Sequence, residues 1–268
     1  MSFFRLLTKQ GAGYDQIRAD ACSKRHPPLL VSNTPEVTED ATADTAIFLI
    51  LGALRNFSTS MFALRKGDFR GRPAPDLGND PQNKVLGILG MGGIGRNLKR
   101  KADTFGMKTI YHNRRELDSA EADGARYVTF KELLKSSDVL SVNMPLNAGT
   151  RHFISAEEFK QMKPSAILIN TARGPIVDEA ALVEALHQGK IAGAGLDVYE
   201  NEPEVHPGLM ENDRVILLPH MGTWSRETQK KMECRAIDNI RSALSGQGLL
   251  NMINEQTQLG LDREQRLE

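Results

Sequence analysis

From Lys84 onward, short uninterrupted apolar segments alternate with amphipathic ones. The apolar segments are Val85–Leu89, Thr109–Tyr111, Val139–Val142, Ala166–Ile169, Ile191–Val198 and Val215–Leu218. Between them lie Ile94–Phe105, Phe130–Ser136, Ser155–Met162 and Glu179–His187. Continuous apolar runs suit strands buried on both faces, and helical spacing suits the segments that cover them. Repeated strand and helix implies a parallel sheet wrapped on both sides, because βαβ crossovers are right-handed and lay helices over the sheet. The pattern therefore predicts a doubly wound α/β fold.

Before this region, residues 41–64 read as one long helix entered through Thr38, Glu39 and Asp40, an acidic stretch suited to a helix N-terminus. A loop over 71–82, with Pro73, Pro75, Gly78 and Pro81, delivers the chain to the first strand. After the sheet, 225–244 reads as another long helix. Residues 249–268 are polar and poorly patterned, which predicts a loosely held tail.

Composition narrows the classes of function. The 268 residues carry 34 Lys and Arg against 34 Asp and Glu, so the chain lacks the basic excess of a nucleic-acid binder. The longest apolar run, 46–54, is far shorter than the roughly 18 residues a membrane span needs. Only Cys22 and Cys234 are present, and no charged n-region with a long apolar run opens the chain, which points to a reducing, cytosolic compartment.

Gly90-Met91-Gly92-Gly93-Ile94-Gly95 fits G-x-G-x-x-G between a strand and a helix. With 23 glycines in the chain the pattern alone is weak, and a tight turn without ligand would also fit. In this context it matches the Rossmann dinucleotide fingerprint, in which glycines permit the turn, the approach of a pyrophosphate and close helix packing. An NAD site would place a carboxylate at the end of the next strand, whereas this segment reads Tyr111-His112-Asn113-Arg114-Arg115. Guanidinium groups grip a 2′-phosphate, so the segment favours NADP(H), with NAD possible; a solvated basic turn is the competing account.

Three of the six histidines have an ordinary explanation: His187 ends a helix, and His26 and His206 stand beside prolines. His220 differs, because it follows the last strand at its carboxyl end, where open α/β sheets hold their ligands. Arg173, in Asn170-Thr171-Ala172-Arg173-Gly174, and Glu202, in Gly195-Leu196-Asp197-Val198-Tyr199-Glu200-Asn201-Glu202-Pro203, also stand beyond strand ends. A carboxylate beside an imidazole fixes its tautomer and favours its charged form, and an arginine can clamp a carboxylate. Together they would suit 2-oxo acids; separately each fits a surface ion pair or a cap equally well.

These blocks, with Gly11-Ala12-Gly13-Tyr14-Asp15 and Pro219-His220-Met221-Gly222-Thr223, run in order over nearly the whole chain. In them the chain resembles the D-2-hydroxyacid dehydrogenases, most closely fungal glyoxylate reductase and hydroxyisocaproate-type members. The resemblance implies that Arg173 binds the substrate carboxylate and polarises the 2-oxo group, that His220 exchanges the proton, and that Glu202 keeps His220 protonated. It implies that main-chain groups of Ala12 and Gly13 hold the carboxylate. It also implies that Asp197 meets the nicotinamide carboxamide, and that Thr42, Pro145, Thr150, Thr171, Ala172 and Gly222 line the cofactor beside Gly90, Gly92, Gly93, Ile94, Gly95, Asn113, Arg114 and Arg115. Formate dehydrogenases of the same superfamily carry glutamine where Glu202 stands, which disfavours that activity.

The resemblance divides the chain into a dinucleotide-binding domain over 41–224 and a flavodoxin-like substrate domain from 1–40 and 225–268. Only residues 1–10 precede the Gly11–Gly13 loop, so the substrate domain reads as truncated and its strand near 5–8 as short of neighbours. The expectation is an NADPH-preferring reductase of a small 2-oxo acid, glyoxylate or hydroxypyruvate foremost. Hydride passes from nicotinamide to the carbonyl carbon, His220 is the general acid, no metal takes part, and the partner is a second copy in a homodimer. A nucleotide-sensing binding protein of the same fold is the rival; a methyltransferase is disfavoured by the arginine pair.

Overall fold

The computed structural model describes residues 5–70, 72–74 and 76–261. Gly71 and Pro75 of the predicted loop, and the last part of the predicted tail, lie outside them. The chain divides into two compact units: one comprises 42–222, the other the flanking segments up to Ala41 and from Thr223.

In chain order the elements are β1 (Leu6–Thr8), α1 (Ala19–Ser23), β2 (Leu30–Ser32), α2 (Glu39–Leu54), α3 (Phe57–Arg65), β3 (Val85–Leu89), α4 (Gly93–Thr104), β4 (Lys108–His112), α5 (Ser119–Ala122), β5 (Arg126–Tyr127), α6 (Phe130–Ser136), β6 (Val139–Val142), α7 (Ala156–Phe159), β7 (Ile167–Asn170), α8 (Glu179–His187), β8 (Gly193–Leu196), α9 (Pro207–Met210), β9 (Val215–Leu217), α10 (Arg226–Leu244) and α11 (Asn254–Gln258).

Strands β3 to β9 form one seven-stranded sheet in the order β5-β4-β3-β6-β7-β8-β9, every pair parallel. The order reverses at β3, so β3 and β6 flank the switch point where a doubly wound sheet opens a crevice at its strands' carboxyl ends. Alternate residues of each strand feed opposite cores. Leu86, Ile88, Val139, Ile167 and Ile169 pack with Ala46, Leu49, Ile50 and Leu98 on one face. Leu89, Leu140, Val142, Leu168 and Leu196 pack with Leu133, Phe159, Leu182 and Leu186 on the other. This period of two, with both faces buried, is why the strands read as continuous apolar runs.

Helix α2 approaches the sheet closely because glycine stands on both surfaces. A methyl group added at Gly195 would lie 2.8 Å from Leu49 Cβ, and one at Gly52 would lie 2.3 Å from Ile216 Cδ1. The single helix predicted over 41–64 is in fact two. The chain turns by 78° between α2 and α3. Asn56 adopts a left-handed φ of 51°, which asparagine tolerates better than most residues, and its side chain donates to the Asp76 carbonyl. The loop around Gly78 then packs against Leu54 and Arg55, and Asn79 N donates to the Leu54 carbonyl. Among the described residues no single helix is long and apolar enough to cross a membrane.

In the other unit, β1 pairs in parallel with β2, a strand the hydrophobic pattern did not reveal. The predicted loose tail is anchored as far as the structure describes it, which corrects the sequence reading. Gln256 is fully buried: its Oε1 accepts from Val31 N at 2.7 Å, and its Nε2 donates to the Leu29 carbonyl at 2.8 Å. Ile253 N donates to the Val31 carbonyl, so the tail completes the hydrogen bonding of β2. A polar segment thus gains order by satisfying buried backbone groups rather than by an apolar face.

Candidate active site

The glycine loop leaves β3 and enters α4. Gly90 has φ of 95°, and a methyl group there would lie 2.8 Å from Met144 N. Both facts demand glycine. At Gly95 a methyl group would meet the Gly90 carbonyl oxygen at 2.9 Å and Ile88 Cγ2 at 3.0 Å, so this glycine lets α4 lie on β3. Gly92 is different, because nothing lies within 4 Å of the position its methyl would take and its φ of −86° suits any residue. No internal contact explains that glycine; the open space leaves room for a phosphate to approach the backbone. Gly92 caps α4 with no side-chain acceptor, so the first amides of the helix, from Gly93 and Ile94 onward, keep donor capacity for an anion. These residues fit a dinucleotide pyrophosphate.

Asn113, just past β4, turns its Oδ1 to Met91 N at 2.7 Å and so ties the end of β4 to the glycine loop. Its carbonyl accepts from Tyr127 Oη. Arg114 and Arg115 follow, both exposed and without an ion pair among the described residues. They occupy the turn after β4, the position from which this fold reads the cofactor ribose.

Beyond the other strand ends the loops converge. After β6, Thr150 Oγ1 donates to the Pro145 carbonyl at 2.8 Å and accepts from Asn147 N at 2.8 Å, closing the 145–150 loop. After β7, Asn170 bonds Ala172 N and the Arg173 carbonyl, which shapes the turn that presents Arg173; the Arg173 Nη1 donates to the Ala172 carbonyl at 2.6 Å. Thr171 is buried beside it. Because β7, β8 and β9 are neighbours, Arg173, Glu202 and His220 leave the sheet from adjacent strands.

Glu202 and His220 meet. Glu202 Oε2 lies 2.8 Å from His220 Nδ1, and Glu202 Oε1 accepts from Tyr199 N at 3.0 Å. The carboxylate is thereby oriented by the backbone of its own loop, and the imidazole Nε2 takes no partner among the described residues. His220 has a left-handed φ of 57°, an uncommon state for a residue with a Cβ.

Asp197 holds that conformation. Its carbonyl accepts from His220 N at 2.9 Å, and its carboxylate oxygens accept from Met221 N at 2.6 Å and Gly222 N at 2.8 Å. Gly222 is squeezed between Asp197 and Thr42, which places both beside the loop. Burial pushes the Asp197 carboxyl above the usual carboxylate range, although both amides favour its ionised form. These three bonds make Asp197 the clamp of the His220 loop. Tyr199 adds a second clamp, its buried hydroxyl donating to the Leu218 carbonyl at 2.8 Å, with burial raising its pKa. Both residues are apolar-run neighbours in the sequence and carry no local sign of this role.

In the other unit, the Gly11–Gly13 loop is pinned by Gly11 N donating to Thr34 Oγ1 at 2.8 Å and by Asn33 Nδ2 donating to the Ala12 carbonyl at 2.7 Å. The amides of Ala12 and Gly13 take no hydrogen-bond partner among the described residues.

A doubly wound sheet with a phosphate-ready glycine loop, and a histidine–carboxylate pair beyond its strand ends, defines a dinucleotide-dependent oxidoreductase. Residues 47–222 match the family model described as D-isomer specific 2-hydroxyacid dehydrogenase, NAD binding domain. The chain belongs to that family, and it is an NAD(P)-dependent enzyme. It is 50% identical over 252 residues to 4-methyl-2-oxopentanoate reductase A of Aspergillus oryzae, covering 94% of this chain and 75% of the relative. Among solved structures it is similar to a glyoxylate reductase from Paecilomyes thermophila, with 51% identity and a TM-score of 0.90 over 94% of this chain and 76% of that one. It is also similar to the NADPH-dependent glyoxylate/hydroxypyruvate reductase of Sinorhizobium meliloti, solved with NADP and malonate; identity is 35% and TM-score 0.86 over 94% of this chain and 78% of that one.

Proposed function

We propose that the chain reduces a small 2-oxo acid to the D-2-hydroxy acid and prefers NADPH to NADH. The observation that carries this reading is the His220–Glu202 pair at 2.8 Å, presented beside Arg173 from three adjacent strand ends. A nicotinamide dinucleotide, when bound, supplies the hydride. The amides of Gly93 and Ile94 would hold its pyrophosphate, with Gly92 leaving room for its approach, and Thr42, Pro145, Thr150, Thr171, Ala172 and Gly222 would line the rest of its site.

His220 Nε2 donates the proton to the developing alkoxide, while Glu202 at Nδ1 stabilises the charged imidazole and fixes which nitrogen faces the substrate. Arg173 offers the substrate carboxylate a charge-assisted grip. Preference for NADPH follows from Arg114 and Arg115 at the end of β4, where an NAD site would carry an acid. The relatives' names support 2-oxo acids from glyoxylate to 4-methyl-2-oxopentanoate as substrates.

The test is oxidation of NADPH and of NADH by the purified chain against glyoxylate, hydroxypyruvate and 4-methyl-2-oxopentanoate. Turnover with NADPH ahead of NADH is expected. Cofactor binding without turnover on any 2-oxo acid would replace the enzyme reading by the nucleotide-sensing one.

The same reading includes a homodimer. Phe57, Met61 and Phe62 of α3 are exposed, and with Phe48 and Met210 they line an open groove of about 940 Å³. Charges of both signs, Arg65, Lys66, Glu211 and Asp213 among them, also line it. An exposed apolar patch of this kind marks an association surface, and charges of both signs on one patch suit a two-fold contact with a second copy.

A further inference from the structure

A second histidine–carboxylate pair lies among the loops beyond the strand ends. His152 Nε2 is 2.6 Å from Glu200 Oε1, and His152, like His220, has a left-handed φ, here 50°. Glu200 is two residues before Glu202. Its backbone N donates to Glu179 Oε2 at 2.9 Å, and its own Oε2 accepts from Glu179 N at 3.3 Å. Glu179 opens α8 and also accepts from His206 N at 3.0 Å. Two carboxylates thus exchange backbone hydrogen bonds across the loops after β7 and β8.

His152 extends the tie to a third loop. Its N donates to the Pro175 carbonyl at 2.8 Å, and Ile154 N donates to the Ile176 carbonyl at 3.1 Å, so the chain after β6 runs zipped against the turn that carries Arg173. That turn is pressed against the Glu202 loop. A methyl group at Gly174 would lie 1.9 Å from both the carbonyl carbon and the oxygen of Tyr199, and 2.4 Å from Glu200 N. The Arg173 and Glu202 loops therefore touch with no room to spare, and the His152–Glu200–Glu179 ties span the same contact.

We propose that His152 and Glu200 are positioning residues that hold the Arg173 turn against the Glu202–His220 loop. The inference rests on the catalytic reading of Arg173, Glu202 and His220. Neither residue meets the reacting atoms. Glu200 acts through the backbone that carries Glu202, and His152 acts through the strand-like zipper to 174–176. Small displacements of positioned groups can lower turnover by up to about a hundredfold, which is the scale on which such a brace would be felt.

The test compares Glu200→Ala, Glu200→Gln and His152→Asn in the full chain. Glutamine can accept from Glu179 N through its amide oxygen while its amide nitrogen donates to His152 Nε2 in the neutral tautomer, so both ties are kept without the charge. Asparagine tolerates the left-handed φ but is too short to span the loops. Glu200→Ala and His152→Asn are expected to lower kcat about tenfold with the KM for NADPH unchanged, and Glu200→Gln is expected to stay within about twofold of the parent. In two-bond proton–nitrogen spectra of the imidazole rings, the His220 nitrogen signals should shift in Glu200→Ala and stay in Glu200→Gln; His220→Ala supplies the assignment. Parent-like kcat in Glu200→Ala, or equal damage in the alanine and glutamine variants, would overturn the proposal. If the parent chain reduces no 2-oxo acid, the catalytic reading fails by itself, and His220 ring signals that do not move in Glu200→Ala then overturn the brace independently.

Discussion

At the residue scale, the site depends on a few side chains whose neighbours hold them in uncommon states. His220 is kept at positive φ because Asp197 accepts three consecutive backbone amides, from His220, Met221 and Gly222. Replacing His220 by alanine should lower kcat by roughly 10²- to 10⁴-fold while leaving NADPH affinity in place, measured by steady-state kinetics and cofactor titration. Unchanged turnover would remove it from the mechanism. Arg114 has no internal partner to lose, so Arg114→Ala should leave thermal stability unaltered. It should raise the Kd for NADPH by roughly tenfold to a hundredfold, the scale of one charge-assisted partner, with little effect on NADH. Equal losses for both cofactors would show that the arginine does not read the 2′-phosphate.

At the element scale, the turn from β3 to α4 separates two roles for glycine. Gly95→Ala drives a methyl group into the Gly90 carbonyl and Ile88, and overpacking of this kind costs about 1–3 kcal/mol, so its melting temperature should fall. Gly92→Ala meets only open space and should melt like the parent while binding NADPH more weakly. Matching melting and binding profiles for the two variants would refute the division. A second element-level tie lies at the opposite end of the sheet. Asp138, just before β6, accepts from Val85 N at 2.8 Å and from Lys163 at 2.7 Å. Burial pushes its carboxyl up, yet the bonds to Lys163 and Val85 and the charges of Lys163 and Lys84 outweigh burial and hold it below its ordinary value of 3.8. A folded-state pKa below the unfolded one stabilises the protein above the unfolded value, and the benefit fades as pH falls through the folded one. Asp138→Asn should therefore be less stable near neutral pH, with the gap in melting temperature closing in acid below the ordinary carboxylate value. A pH-independent gap would mean the ionised form contributes nothing.

At the scale of the whole molecule, the groove along α3 leaves Phe57, Met61 and Phe62 in water unless a second copy covers them. Phe62→Glu should convert a dimer into a monomer in sedimentation or light scattering without lowering the melting temperature of the isolated protomer below that of the diluted parent. A parent chain that is monomeric at micromolar concentration would remove this face from the account.

The sheet and the glycine loop were legible in the sequence because their causes are local. Strands buried on both faces must be continuously apolar, and a phosphate turn must place its glycines at fixed short spacings. Arg173, Glu202 and His220 were visible as residues just past strand ends, and the family resemblance named their roles. Long-range contacts decided the rest. The break at Asn56 needs the loop 76–79 to receive it, and β2 needs Gln256, 225 positions from Val31. That Glu202 reaches His220 depends on β8 lying beside β9, and that Asp197 clamps the loop instead of standing free depends on the same adjacency. Side chains such as Gln256, Asp197 and Glu200 look like ordinary polar residues along the chain. Only the packed fold brings each of them a backbone amide or imidazole as partner, because a hydrogen bond has no periodicity to betray it before the chain has closed.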